Sequence, residues 1–147
     1  MTYARNKGLG DYGERVAAQH LRSLGMVVLA RQWTCRFGEI DIVARDGSTL
    51  VICEVKTRTS TRYGGPFEAV TGHKAARLRR LAQAWLEVHD VHPPAVRIDV
   101  VSVVVPQAGA PQGERAAEQR LLTLFYAVLR RADVPQMNRG DAAAATW

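Results

Sequence analysis

The chain has 147 residues, 47% hydrophobic and 23% charged, which suits one compact domain and lies far from the compositions that stay disordered. An excess of 20 Lys and Arg over 14 Asp and Glu gives a net charge of +6, so polyanions come before acidic small molecules as partners. Cys35 and Cys53 are too few for a disulfide framework and too far apart for a CxxC motif. The opening MTYARNKGLGDYGERV has no apolar signal core, and no stretch reaches the roughly 20 residues of a membrane span, so a reduced cytoplasmic setting is expected, with no membrane partner.

Val16, Ala17, Leu21 and Leu24 recur at helical spacing and predict a first helix from Asp11 to Leu24, with Gly25 where a left-handed cap would stand. Met26 to Ala30 and Glu39 to Ala44 read as strands. After the Asp46-Gly47 turn, the β-branched run Thr49 to Thr57 reads as a buried strand, so the last two should pair as a hairpin. Arg58 to Pro66 is polar and rich in glycine, an exposed loop of the kind that carries function. From Thr71 to Val88, Ala75, Leu78, Leu81, Ala82, Trp85 and Leu86 predict an apolar helix face, with Lys74, Arg77 and Arg80 on another. Val96 to Val105 is a further strand, which makes the fold a mixed α/β sheet flanked by helices. One nuclease-like unit should therefore span 1–105. Residues 106–147 read as a linker, an amphipathic helix built on Leu121, Leu122, Phe125, Val128 and Leu129, and a frayed tail.

The chemistry concentrates between Gly38 and Arg58. Two- and four-residue hairpin loops both oppose residues whose numbers sum to an odd value, so Asp41 faces position 52 or 54 and shares a side with Glu54 and Lys56. Two carboxylates brought together repel unless a cation lies between them, and hard oxygen ligands suit Mg²⁺ or Mn²⁺. Phosphodiester hydrolysis uses such an ion, and a neighbouring lysine can orient the water or meet developing charge. On spacing alone, Glu54 and Lys56 could equally be an ordinary ion pair on a half-exposed strand.

An acid on one strand followed by Glu-x-Lys on the next resembles the PD-(D/E)XK signature of the restriction-endonuclease-like superfamily. More narrowly, Gly13-Glu14, Gly38-Glu39-Ile40-Asp41, Glu54-Val55-Lys56-Thr57-Arg58, Gly64, Lys74 and Arg97-Ile98-Asp99-Val100 resemble the YraN-type predicted endonucleases. The resemblance covers roughly Gly10 to Val105 and implies a restriction-endonuclease-like fold. It also implies that Asp41, Glu54 and the Val55 carbonyl ligate the metal while Lys56 assists the water. Archaeal Holliday-junction resolvases are similar, and there a first-helix glutamate joins the metal site, by position Glu14. Ile40 stands where the superfamily's name has proline, and the chain beyond Val105 does not match the short apolar ending of these families.

From Lys56 to Arg80, seven basic residues face the single acid Glu68. Of these, Arg58, Arg62, Lys74, Arg77 and Arg80, with Tyr63 among them, are the candidate DNA-binding residues that would track a phosphate backbone. The reading is a metal-dependent DNA endonuclease acting on branched or repair-intermediate DNA, with a homodimer as a further expectation by analogy. Its rivals are a non-catalytic nucleic-acid-binding module that keeps the nuclease fold, and an assembly factor docking through Leu121 to Leu129. The GxGxxG match at Gly8 to Gly13 lacks the preceding strand that a dinucleotide site needs, and Cys53 falls on the opposite face of its strand from Glu54.

Overall fold

A computed structural model describes residues 2–59, 72–105 and 125–129, with backbone alone for 2–6 and 125–129. The first segment forms helix α1, Thr2–Ser23, starting well before the expected Asp11. It ends at the expected cap: Gly25 takes φ of 86°, its amide donates to the Arg22 carbonyl, and the Met26 amide donates to the Leu21 carbonyl.

Four strands and a second helix follow as β1 (Val27–Cys35), β2 (Gly38–Asp46), β3 (Thr49–Arg58), α2 (Gly72–His89) and β4 (Ala95–Val104). β1 is longer than the expected Met26–Ala30, because Arg31 to Cys35 continue the pairing with β2. The β2–β3 hairpin closes over Gly47-Ser48 with Asp46 opposite Thr49. β3 and β4 run parallel in register from Thr49↔Ala95 to Arg58↔Val104, and α2 makes the crossover between them.

The C-terminal expectation needs correcting at Phe125–Leu129. These residues form strand β5, antiparallel to β4, and not part of an amphipathic helix. Phe-Tyr-Ala-Val-Leu is aromatic and β-branched, and the outer edge of β4 offers unpaired backbone groups, so a long-range ladder prevails over helical spacing. The linker, the rest of that expected helix and the tail lie outside the described residues.

The result is a mixed sheet in the order β1-β2-β3-β4-β5 with a helix on each face, an α/β architecture consistent with the restriction-endonuclease-like fold. On the α1 side, Ala17, Ala18 and Leu21 pack on Ile42, Ala44, Val51, Cys53, Val55, Val101 and Val103. On the α2 side, Leu78, Leu81, Ala82 and Trp85 pack on Ile40, Val43, Leu50, Ile52 and Ile98. Each fully buried Leu or Ile contributes about 1.5–3 kcal/mol by leaving water. Trp33 of β1 meets Trp85 edge to face at 5.3 Å, and His89 stacks on Trp85 at 3.6 Å, which ties the edge strand to α2.

Among the described residues, one acidic side chain is fully buried. Asp99 of β4 is 0% exposed and accepts hydrogen bonds from Arg97 Nε at 2.9 Å and Nη2 at 3.1 Å. Arg97 Nη1 also donates to Asp46 Oδ2 at 2.9 Å, so one guanidinium joins β4 to the end of β2. No helix among the described residues is long and apolar enough to cross a membrane.

Candidate metal centre and nucleic-acid face

β3 has the alternation its sequence promises. Cys53 and Val55 turn to the α1 cluster, whereas Glu54 turns to the other side, where Lys56 Nζ lies 3.3 Å and Arg77 Nη2 of α2 3.5 Å from its Oε1. Glu54 is only 8% exposed, so these two cations offset the cost of burying its charge.

Asp41 is placed by a break in the alternation of β2. Ile40 and Val43 both join the α2-side cluster, three positions apart, while Ile42 joins the α1 side. The β2–β3 ladder ends at Ile42↔Cys53, one step before Asp41, and the Asp41 side chain takes over: its Oδ2 accepts the Val55 amide at 2.7 Å. The expectation of a single side shared by Asp41, Glu54 and Lys56 therefore needs refining. Glu54 and Lys56 share one, while Asp41 at the break also meets two further acids, one from α1 and one from its own strand.

Those acids are Glu14 and Glu39, whose ligating oxygens and that of Asp41 lie within 4.8 Å of one another. Glu14 reaches the group because Gly13 lets α1 lie directly on β3; a Cβ there would collide with the Thr57 hydroxyl and its Cβ. Glu14 is 8% exposed, its Oε2 has no hydrogen-bond partner among the described residues, and Arg31 Nη2 stands 3.8 Å away. Burial raises the Glu14 pKa, against the Gln32 side-chain hydrogen bond and the Arg31 charge. Burial likewise pushes Asp41 up to about 7; the Val55 amide opposes this, and the charges of Glu54, Glu14 and Glu39 add to it.

Crowded carboxylates, with Glu14 and Asp41 raised in pKa and one buried oxygen orphaned, are the donor set that a hard divalent cation would satisfy. Glu54 lies outside the trio but near enough to repel Asp41. Glu39 had no assigned role in the sequence reading, although its position two residues before Asp41 on one strand was the signal. Cys53 is buried, and desolvation raises its thiol pKa well above the ordinary range, which suits a core residue rather than a nucleophile.

The candidate DNA-binding residues divide. Arg77 lies beside the carboxylates through Glu54, Lys74 is half-buried at the start of α2, and Arg80 is exposed with its guanidinium 5.8 Å from the Phe37 ring. Arg58 is half-buried at the end of β3, where its carbonyl accepts the Val105 amide at 2.7 Å. Arg62 and Tyr63 lie outside the described residues.

The profile of the uncharacterised protein family UPF0102 matches residues 13–103, from the helix turn that carries Glu14 to the end of β4. The chain belongs to this family, also called the YraN family. A UPF0102 protein of Kineococcus radiotolerans is 58% identical over 111 residues, covering 74% of this chain and 91% of the relative. One of Streptomyces griseus is 58% identical over 109 residues, 74% of this chain and 92% of its own. A third, of Nocardioides, is 55% identical over 107 residues, 73% and 86% of the two chains. The UPF0102 match contains Glu14, Glu39, Asp41, Glu54 and Lys56 and ends before β5.

Proposed function

We propose that this UPF0102 chain is a metal-dependent endonuclease that hydrolyses phosphodiester bonds in DNA, acting on branched or repair-intermediate structures. The observation that carries the reading is Asp41, whose carboxylate is held by the Val55 amide between the buried acids Glu14 and Glu54. Asp41 and Glu14, with Glu39 of the same trio and with Glu54 and the Val55 carbonyl beside it, would hold Mg²⁺ or Mn²⁺. Such an ion polarises a phosphate oxygen and lowers the pKa of an attacking water.

The other tasks fall to the chain's own groups. Lys56, 3.3 Å from Glu54, has its ammonium positioned to orient a water or meet charge developing on the phosphate. Arg77, Lys74 and Arg80 on α2 offer cations to the flanking phosphates, and contacts of that kind carry affinity without base preference. Selectivity would then come from the shape of the DNA.

The test is to incubate wild type and Glu54→Ala with labelled linear, flap and junction DNA, in Mn²⁺ or in EDTA. Mn²⁺-dependent cutting by wild type that disappears in the variant is the expected result. Equal cutting by both removes Glu54 from the site, and tight binding with no cutting in Mn²⁺ makes the chain a binding module on a nuclease fold.

A further inference from the structure

The turn between β1 and β2 consists of Arg36 and Phe37 alone, since Cys35 already pairs with Gly38. Neither Arg36 nor Phe37 has a positive φ, which Gly38 takes instead at 131°, so the tip accepts any side chain and the ring there is set by its contacts. The ring is half-buried and packs at the margin of the α2-side cluster, which fixes its plane. Two cations lie over it: the Arg36 guanidinium 4.5 Å and that of Arg80 5.8 Å from its centroid.

The tip is joined to the carboxylates on two routes. Through α2, a Cβ on Gly38 would lie 3.4 Å from Arg77 Nη1, and Arg77 Nη2 is 3.5 Å from Glu54. Along β2, Glu39 of the acidic trio comes two residues after Phe37. A flat ring that carries the guanidiniums of Arg36 and Arg80 thus borders the site, and these two like charges at one tip favour the approach of an anion.

We propose that Phe37 is a stacking platform for an unpaired nucleobase of DNA, the base taking the place of the exposed Arg36 guanidinium over the ring while Arg36 and Arg80 turn to the phosphates on either side. The proposal rests on the nuclease reading and deepens it, because a base displaced from the duplex is what distinguishes a flap or branch point from linear DNA. A base in a closed duplex is already stacked on its neighbours and gains nothing from the ring.

The experiment uses the full chain in EDTA, where binding is read without cutting, and DNA carrying 2-aminopurine either in a flap beside the branch or within a matched linear duplex. Phe37→Leu keeps the apolar volume and removes the π face, and Phe37→Trp keeps the face; melting curves accompany each variant. Wild type and Phe37→Trp should quench the flap fluorophore. Phe37→Leu should lose the quench and bind the flap roughly five- to a hundredfold more weakly, the share one stacked base contributes, with little change on linear duplex. Flap quenching and affinity retained by Phe37→Leu, or equal losses on both DNAs, overturn the platform. The two readings fail separately. Absence of Mn²⁺-dependent cutting alongside this fluorescence pattern would sink the nuclease and leave the platform, while normal cutting with an indifferent Phe37→Leu would do the reverse.

Discussion

Gln32 stands opposite Asp41 across the β1–β2 ladder, between the pairs Arg31↔Ile42 and Trp33↔Ile40, and adopts φ of 51°. A non-glycine side chain there costs of order 1 kcal/mol or more and persists only when its surroundings hold it. Here the side chain is held by acids of α1: its amide donates to Asp11 Oδ1 at 3.3 Å and forms a side-chain hydrogen bond with Glu14. Gln32→Gly should relieve the backbone while freeing Glu14. The expected outcome is a melting temperature equal to or above wild type together with weaker Mn²⁺ binding, read by calorimetric titration; unchanged Mn²⁺ affinity would show that Gln32 does not position Glu14.

The raised pKa of Asp41 fixes a direction for pH dependence. Its folded value of about 7 lies above the ordinary 3.8, so the folded state binds the proton more tightly. The stability this supplies is complete below the ordinary value and lost as pH rises through about 7. Without metal, the protein should therefore melt at a lower temperature at about pH 8 than at about pH 5.5. Divalent cations compete with that proton, so the rise in melting temperature on adding Mn²⁺ should grow with pH and level off above neutrality. A Mn²⁺ shift independent of pH would detach Asp41 from the ion.

Close approach of α1 to β3 is the third point of leverage. Gly13→Ala places a methyl on Thr57, and overpacking of this kind costs about 1–3 kcal/mol. Urea denaturation should show that loss. Because Glu14 is the next residue, Mn²⁺ affinity should fall as well, which a purely structural role for Gly13 would not require.

Asp99 should behave in the opposite sense, as a structural group outside the acidic trio. Asp99→Ala leaves Arg97 without its buried partner and should cost about 3–5 kcal/mol by chemical denaturation. Under conditions where the variant remains folded, its Mn²⁺ affinity should match wild type.

What the sequence made legible follows from the range of the interactions involved. α2, β3 and β4 have apolar periods set by neighbours within a few residues, and Glu54 and Lys56 inherit their common side from the simple alternation of β3. The extension of β1 through Arg31 to Cys35 was hidden because Arg31, Gln32 and Thr34 interrupt its apolar positions, and Trp33 and Cys35 find their partners in the α2-side cluster and not nearby in sequence. β5 was misread because Leu121 to Leu129 satisfies helical spacing, and the free edge of β4 lies some twenty residues earlier. At the site, Asp41 was picked out by hairpin register and Glu14 by resemblance, but the forces that bring them together, a break in β2 and contact through Gly13, are tertiary. Glu39 stood inside a quoted motif without a role, and Gln32 and Phe37 had no motif to mark them.

The alternation along β3 has a consequence for how this chain can change over time. Odd-numbered side chains from Val51 to Val55 fill the core under α1, while Glu54 and Lys56 alternate with them toward the opposite side. Loss or gain of one residue here would exchange the two sets, driving an ammonium and a carboxylate into oil and turning valines outward. Such length changes are closed to this strand, so its evolution must proceed by substitution, one side chain at a time, with folding as the first filter and chemistry as the second.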